Sequence, residues 1–417
     1  PIDSLSHEKV RDKIYPASRF NIPMEISPQP ELIEETARLL IEAKNPMINV
    51  GGEVTRAKAN DDLLELSELL SIPVSQGVSC FGDFPFKHPL FADFYKMGPN
   101  TYSFGIDTFV NLGALMPDPG FINNPVPPTC KVVHARIEYE DIANIYPTDV
   151  AIAANLKETI RGITESIQSM LTEDRIKKLK AERLEKVIQK TEPARKKREE
   201  EAKKNWNASP LSWERATFEI DEALDDDACI VSELDNHIPY YWFDFSPGKK
   251  TLIGTTTGYA MGWGVGVSLG VKIARPDSQV ACMVGDGALL FGQVESLWSF
   301  SRYDVPVIIV VFNNLGYDGP RNRMMSISKR PPEQQKDMAC YLGNPDTDFA
   351  GIAKSFGIKG ERASNPSEIR DAMKRAIKVT RDGRPYLIDA LIAQQGLGAN
   401  TNWHPDISIA ALRTQKR

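Results

Sequence analysis

Three features of the 417-residue chain predict an α/β protein with two parallel-sheet domains joined by a charged helical linker. Apolar strand-like runs alternate with amphipathic helical stretches in both halves, the pattern of parallel sheets with crossover helices. A mixed-sign charge run at 173–204 separates those halves. In the second half, buried-strand patterns at 280–284 and 305–312 flank a helical stretch at 293–303. That makes a βαβ unit whose two strand ends open onto one sheet edge.

Residues 1–19 are rich in proline and charge and read as an entry segment. The first domain is expected over 20–165. Residues 31–43 carry apolar side chains at helical spacing, Pro46–Val50 is a buried strand, and Gly51-Gly52 closes it. A helix at 60–70, a short strand at 72–74 and strands at 108–112, 131–135 and 150–153 complete the pattern. Residues 166–209 form the linker, a solvated helix laced with i,i+4 ion pairs and expected to break near Pro193. Its interleaved acids argue against a nucleic-acid or membrane patch. The second domain, 210–393, opens with a helix at 211–224 and a strand at 228–232. Glycine-punctuated 255–263, a tightly packed helix at 264–274 and the βαβ unit follow. Helices at 348–356 and 366–379 and a strand at 386–393 end the domain, and 394–417 form a tail.

Composition excludes several classes. The formal charge of −6 does not suit nucleic acid as main partner. Five scattered cysteines (Cys80, Cys130, Cys229, Cys282 and Cys340) without CxxC spacing do not make a zinc site or disulfide framework, and Cys282 reads as a small buried hydrophobe. No apolar run reaches membrane-spanning length, so a reducing cytoplasm is the expected compartment.

The candidate site lies where the βαβ strands end. Val284-Gly285-Asp286-Gly287-Ala288 closes the first strand and Asn313-Asn314 the second, so Asp286 and Asn314 are expected to converge. A carboxylate, an amide oxygen and a main-chain carbonyl suit Mg²⁺, and the glycines with the following helix start suit phosphate.

Gly-Asp-Gly, twenty-five further residues and then Asn-Asn resemble the diphosphate-binding motif of thiamin-diphosphate-dependent enzymes. The preceding TGYAMGWG (257–264), LGVKIARPDSQVACMVGDG and RYDVPVIIVVFNN are similar to the acetolactate synthase, benzoylformate decarboxylase and 2-hydroxyacyl-CoA lyase superfamily. Residues 43–52 and CKVVHARIEYEDIANIYPTDVAIAAN (130–155) resemble its central domain. The resemblance implies that Asp286, the Asn314 side chain and the Gly316 carbonyl hold Mg²⁺. Amides around Gly287, Ala288 and Leu289, with Gly285 before them, would hold the diphosphate. Asn236 and His237 would touch its oxygens. Met261 would prop the cofactor in its bent form, and the Tyr259 carbonyl would face the aminopyrimidine. Tyr317, Arg321 and Arg323 could reach an acidic substrate group, and His404 could act as a substrate-side acid or base. A flavin (FAD) or coenzyme A (CoA) site at Gly51-Gly52 has no support beyond its position, and a tight turn is the better reading. GWGVG (262–266) does not complete a dinucleotide fingerprint.

In relatives an activating glutamate sits on a pyrimidine-binding domain, and no stretch here resembles that domain. The resemblance therefore implies a pyrimidine-domain partner chain or segment, a homo- or hetero-oligomer, and a chain that is incompetent alone. Ligation or lyase chemistry on 2-oxo acids or 2-hydroxyacyl compounds leads, and 2-oxo-acid decarboxylation is the alternative. A non-catalytic cofactor-binding subunit and a nucleotide-binding α/β regulator are the readings from other classes.

Overall fold

The computed structural model describes residues 13, 15–21, 26–77, 79–94, 105–116, 126–234, 238–254, 260–292, 294–328, 340–343, 345–397 and 399. Two six-stranded parallel sheets organise them. The first contains β1 (Pro46–Val50), β2 (Val74–Gln76), β3 (Phe91–Phe94), β4 (Thr108–Leu112), β5 (Lys131–Arg136) and β6 (Val150–Ala153), in the order β3-β2-β1-β4-β5-β6. The second contains β7 (Cys229–Glu233), β8 (Thr251–Ile253), β9 (Val280–Gly285), β10 (Ile308–Asn313), β11 (Lys359–Ala363) and β12 (Tyr386–Leu391), in the order β11-β12-β10-β9-β7-β8. The two-domain α/β expectation holds. Among the described residues, no helix is long and apolar enough to cross a membrane.

Local chemistry sets the helix ends. Pro30 opens Pro30–Glu42 where a missing N–H costs nothing, and Ile33, Ala37 and Leu40 bury its inner face. Asn155 caps Leu156–Met170 by accepting from the Lys157 and Glu158 amides. Asn365 and Pro366 start Pro366–Arg381 in the same manner. Short β3, β8 and β11 escape the sequence reading, because three- or four-residue and mixed-polarity runs carry little period. The helix expected at 293–303 is confined to Ser296–Arg302, and a short Asp286–Leu290 helix precedes it.

Glu173–Lys204 is one continuous 32-residue helix, contrary to the break expected at Pro193. Docking on both sides of the proline overrides its helix cost of roughly 3 kcal/mol. Before it, the buried Arg183 guanidinium donates to the Leu40 and Ala43 carbonyls at 2.8 Å, satisfying the end of Pro30–Glu42. After it, Arg195 donates to the carbonyls of Lys87, His88 and Phe91. The helix is therefore bound along one stripe, although its outer face carries the expected Lys177–Glu173 and Lys197–Glu201 pairs.

Three parts of the chain meet at Asp93. This residue lies at an irregularity in the β2–β3 register and holds φ of 101°. Its buried carboxylate accepts the Phe94 amide at 2.8 Å, pairs with Arg198 of the long helix at 3.2 Å, and accepts the Tyr241 hydroxyl from the second domain. Arg198 also stacks over the Tyr241 ring, 4.1 Å from its centroid. Phe86 and Phe94 pack against Phe245 and Tyr240 beside this clasp, and the Gly254 amide donates to the Cys80 carbonyl at 2.7 Å.

A buried polar ladder crosses the first sheet. Ser75, Asn49, Asn111 and His134 occupy adjacent register positions on β2, β1, β4 and β5, all fully buried. Ser75 donates to Asn49 at 3.0 Å, Asn49 to Asn111 at 2.7 Å, and Asn111 to the Ala114 carbonyl at 2.6 Å. His134 Nε2 lies 3.2 Å from the same carbonyl, which can only accept, so the ring is protonated there. Its Nδ1 has no hydrogen-bond partner among the described residues. Burial holds the His134 pKa below the ordinary 6.5. The unfolded chain thus takes up a proton here at higher pH than the folded one. The contribution to stability is intact above about 6.5 and is lost as pH falls below it, at up to about 1.4 kcal/mol per pH unit. Urea unfolding at pH 7.5 and 5.5 should show the wild type losing more stability than His134→Gln over that interval; equal losses would refute this assignment.

Candidate active site

The second sheet reverses its winding between β7 and β9. From β7 the chain moves outward to β8, then crosses back to place β9 on the other side. In open parallel sheets a ligand crevice forms outside the carboxyl ends of the strands at such a switch. Glu233 and Asp286 stand at those ends, and the β10 loop carrying Asn314 lies beside them.

Asp286 is 3 % exposed. Its Oδ1 accepts the Gly287 amide at 2.8 Å and its Oδ2 the Gly316 amide at 3.0 Å. The Gly316 amide also reaches Asn314 Oδ1 at 3.1 Å, so one N–H holds both side chains together. Leu315 has φ of 58°, and its amide donates to Asn313 Oδ1 at 3.2 Å, closing the turn that aims the loop back at Asp286. Tyr317 covers the Gly-Asp-Gly turn, its hydroxyl donating to the Gly287 carbonyl at 3.2 Å. A Cβ at Gly287 would fall 2.2 Å from the Tyr317 ring, so the lid of the turn requires glycine. Of the amides expected to hold phosphate, that of Gly287 is directed at the Asp286 carboxylate, while Ala288 and Leu289 continue the Asp286–Leu290 helix from Gly285.

Glu233 shapes the other wall. Its carboxylate accepts the Gly262 and Gly264 amides, the latter at 2.6 Å, capping Gly264–Ala274 and fixing the turn next to Met261. A Cβ at Gly264 would meet Glu233 at 2.8 Å. Met261 itself is 41 % exposed, an apolar side chain left outside either core. Asn236, His237 and Tyr259 lie outside the described residues, as does His404.

Several supporting residues escaped the sequence reading. Asn313 turns away from the crevice and donates to Asp389 of β12 at 2.9 Å, while Arg362 holds the other Asp389 oxygen at 2.7 Å. Asp318 accepts the Gln395 amide at 2.8 Å and pairs with Arg321 at 2.6 Å. Arg321 is not poised for substrate: it is 2 % exposed and its guanidinium donates to the Gln395 and Leu397 carbonyls. Arg323 is exposed on the helix that follows. An aspartate inside an otherwise apolar strand, as Asp389 is in Tyr386–Leu391, is a signal of a buried partner that the sequence reading passed over.

The donor set fits Mg²⁺. Asp286 and Asn314 offer hard oxygens with lone pairs left over after accepting amides, and the Gly316 carbonyl belongs to the same turn. Among the described residues, no group of three or more His, Cys, Asp or Glu side chains could hold a metal ion. The switch point of the first sheet is different. There a Cβ at Gly51 would lie 2.6 Å from Ala114 Cα and 2.7 Å from the Gly113 carbonyl, so chain packing alone accounts for the glycine.

Most of the chain resembles known proteins. Residues 33–163 match the thiamine pyrophosphate enzyme central domain, and 238–390 match its C-terminal TPP-binding domain. The chain is 27 % identical to a probable acetolactate synthase large subunit of Methanocaldococcus jannaschii, over 87 % of this chain and 60 % of the relative. It is 29 % identical to a sulfoacetaldehyde acetyltransferase of Roseovarius nubinhibens, over 88 % of this chain and 62 % of the relative. It thus spans about 60 % of the length of these curated relatives. Among solved structures, a thiamine diphosphate-dependent 4-hydroxybenzoylformate decarboxylase of Rhodococcus jostii RHA1 has the same fold, with TM-score 0.70 at 20 % identity, covering 91 % of this chain and 68 % of that one. A benzoylformate decarboxylase from Polynucleobacter necessarius superposes with TM-score 0.71 at 18 % identity, covering 95 % and 70 % of the two chains.

Burial pushes the Asp286 carboxyl up to about 7, against the pull of its amide donors. A cation at this carboxylate competes with that proton. Magnesium-dependent retention of thiamin diphosphate should weaken about tenfold per pH unit below 7 and level off above it. Calorimetric titration from pH 5.5 to 8 checks this, and an affinity flat across that range would remove Asp286 from the site.

Proposed function

We propose, on the premise that the chain belongs to the thiamine pyrophosphate enzymes, that it supplies the diphosphate- and Mg²⁺-binding half of a carbon–carbon lyase or ligase. The observation that carries this reading is the convergence of Asp286, Asn314 and Gly316 on one shared amide at a topological switch point. Thiamin diphosphate, when bound, supplies a nucleophilic thiazolium carbon and an electron sink for breaking or making a bond beside a carbonyl.

The chain's own residues would position and shield that group. Asp286, the Asn314 amide oxygen and the Gly316 carbonyl would hold Mg²⁺, whose charge would offset that of the diphosphate. Asn236 and His237, which follow β7 in sequence, would donate to diphosphate oxygens. Met261 would press an apolar side chain against the cofactor, on a turn that the Glu233 carboxylate holds still. The Tyr259 carbonyl would accept from the aminopyrimidine.

The substrates we propose are 2-oxo acids or 2-hydroxyacyl compounds. Relatives named as acetolactate synthase and acetyltransferase favour carbon–carbon ligation over simple decarboxylation, because likeness to the decarboxylase structures is at 20 % identity or less and bears on fold. Turnover would also need a pyrimidine-binding region, on this polypeptide or on another, since the matched domains are the central and C-terminal ones.

Two substitutions separate binding from catalysis. Asp286→Ala should abolish Mg²⁺-dependent cofactor retention and turnover together. Met261→Ala should keep cofactor affinity within a few-fold and lower turnover about a hundredfold, the usual cost of a misplaced reacting group. Both are measured in the assembly that supplies the pyrimidine-binding region, with pyruvate and an acceptor carbonyl, by following ligated product and released CO₂. Turnover that survives Asp286→Ala would favour a non-catalytic role for the site.

A further inference from the structure

The turn that carries the proposed cation ligands starts at Asn313, the buried last residue of β10. Its Nδ2 donates to Asp389 Oδ1 at 2.9 Å, and its Oδ1 accepts the Leu315 amide at 3.2 Å. The second bond closes an Asx turn, in which a side-chain oxygen stands in for a backbone carbonyl. It supports Leu315 at φ of 58°, a left-handed backbone that side chains other than glycine resist. Leu315 in turn aims the Gly316 amide at Asp286 Oδ2 and Asn314 Oδ1, at 3.0 and 3.1 Å. Asp389 itself is fully buried, and its second oxygen accepts from Arg362 Nε at 2.7 Å. Strand pairing brings these groups together. Asp389 is level with Arg362 on edge strand β11 and with Val311 on β10, so Asn313, two residues further along, points to the same face.

We propose that Asp389 is a positioning residue that selects the amide orientation of Asn313 and thereby shapes the 314–316 turn for a cation. This rests on the reading of the site as a Mg²⁺–diphosphate site. An asparagine amide has two ends of nearly equal shape, and only one of them accepts. A carboxylate can only accept, so Asp389 takes the nitrogen and leaves the oxygen for Leu315. With the amide reversed, Nδ2 would face the Leu315 N–H, donor against donor, and the left-handed residue would lose its support. Arg362 has a separate task. It offsets the buried charge of Asp389, and another of its nitrogens donates to the Thr347 carbonyl at 2.7 Å. The outer side of the turn is held by main chain, with the Leu342 amide on the Leu315 carbonyl and the Tyr317 amide on the Cys340 carbonyl. If those bonds alone fixed the turn, Asp389 would bear on stability and not on the cation. The arginine makes the two cases separable. In Asp389→Asn, the Arg362 guanidinium draws the new amide oxygen to itself, which turns the new nitrogen toward Asn313 and reverses the Asn313 amide. Removing the arginine as well frees residue 389 to offer its oxygen to Asn313.

The test uses the full chain and two readouts. Amide exchange at Leu315, measured without metal, reports the turn. Free Mn²⁺, followed by electron paramagnetic resonance with thiamin diphosphate present, reports the site. Asp389→Asn should speed exchange at Leu315 about tenfold, the net worth of one hydrogen bond, and weaken Mn²⁺ about tenfold, as loss of a partner that orients a ligand does. Arg362→Met should lower Tm and leave both readouts near wild type. Combining Arg362→Met with Asp389→Asn should bring both readouts back toward wild type, a rescue that general loosening of the sheet does not give. Should Asp389→Asn fail to fold, Asn313→Ala, which removes the amide altogether, carries the same two expectations. Wild-type exchange at Leu315 or wild-type Mn²⁺ affinity in whichever of these two variants folds overturns the assignment. So does an Arg362→Met chain that loses as much Mn²⁺ affinity as Asp389→Asn, or a double variant no better than Asp389→Asn alone. A wild-type chain that takes up no Mn²⁺ beside thiamin diphosphate overturns the site reading instead, while the exchange arm judges the turn by itself.

Discussion

The relation between the two sheets depends on one carboxylate. Asp93 sits on an edge strand with a left-handed backbone that an aspartate adopts at a cost of order 1–3 kcal/mol. That cost is offset because the same conformation aims the side chain at three donors from three separate parts of the chain: its neighbour's amide, the long helix's Arg198 and the second domain's Tyr241. Remove it, and a buried tyrosine hydroxyl and a half-buried guanidinium lose their partner together. Tyr241 belongs to the short Ile238–Tyr241 turn that comes after β7 in sequence, so the clasp fastens the first domain and the long helix to the second domain.

A second theme is economy of donors at the switch point. One main-chain amide, that of Gly316, holds both Asp286 and Asn314, and one carboxylate, Glu233, holds two amides of the turn that follows Met261. Such sharing leaves the outward lone pairs of Asp286 and Asn314 unspent. It also explains the crowding behind them: Tyr317 lies where a Gly287 side chain would be, and Glu233 where a Gly264 side chain would be. Glycine at these positions is required by the supporting side chains rather than by the turn angles alone, since neither residue carries a positive φ.

Much of this was legible in the amino-acid sequence, for definable reasons. Buried parallel strands such as 280–284 and 308–312 are continuous apolar runs, and the Gly-Asp-Gly and Asn-Asn stops mark their ends. The bounds of Pro46–Val50, Thr108–Leu112, Val150–Ala153, Glu173–Lys204 and Gly264–Ala274 emerge as read. What failed shares one cause, dependence on contacts distant in sequence. Proline 193 was read by its local cost, whereas Arg183 and Arg195 decide the helix through carbonyls more than a hundred positions away. Arg321 was read as able to reach an acidic substrate group, yet carbonyls at the far end of the domain enclose it. Asp318 and Asp389 carry no local mark of their partners, because Asn313 and Gln395 reach them only once β10 and β12 are paired.

The polar ladder of the first sheet bears on how that sheet assembles. Its strands are parallel, so each rung joins residues far apart in the chain, 62 positions in the case of Asn49 and Asn111. Valine and isoleucine neighbours would pack nearly as well after a slip along the strand. A shift of one residue would carry each polar side chain to the opposite face of its strand. Four buried groups would then lose their partners at once, at roughly 1–3 kcal/mol each. The ladder thus works as an error check on strand alignment. It separates the correct sheet from its nearest misaligned competitors by more than apolar packing does, and it acts late, when β1, β2, β4 and β5 are all in place.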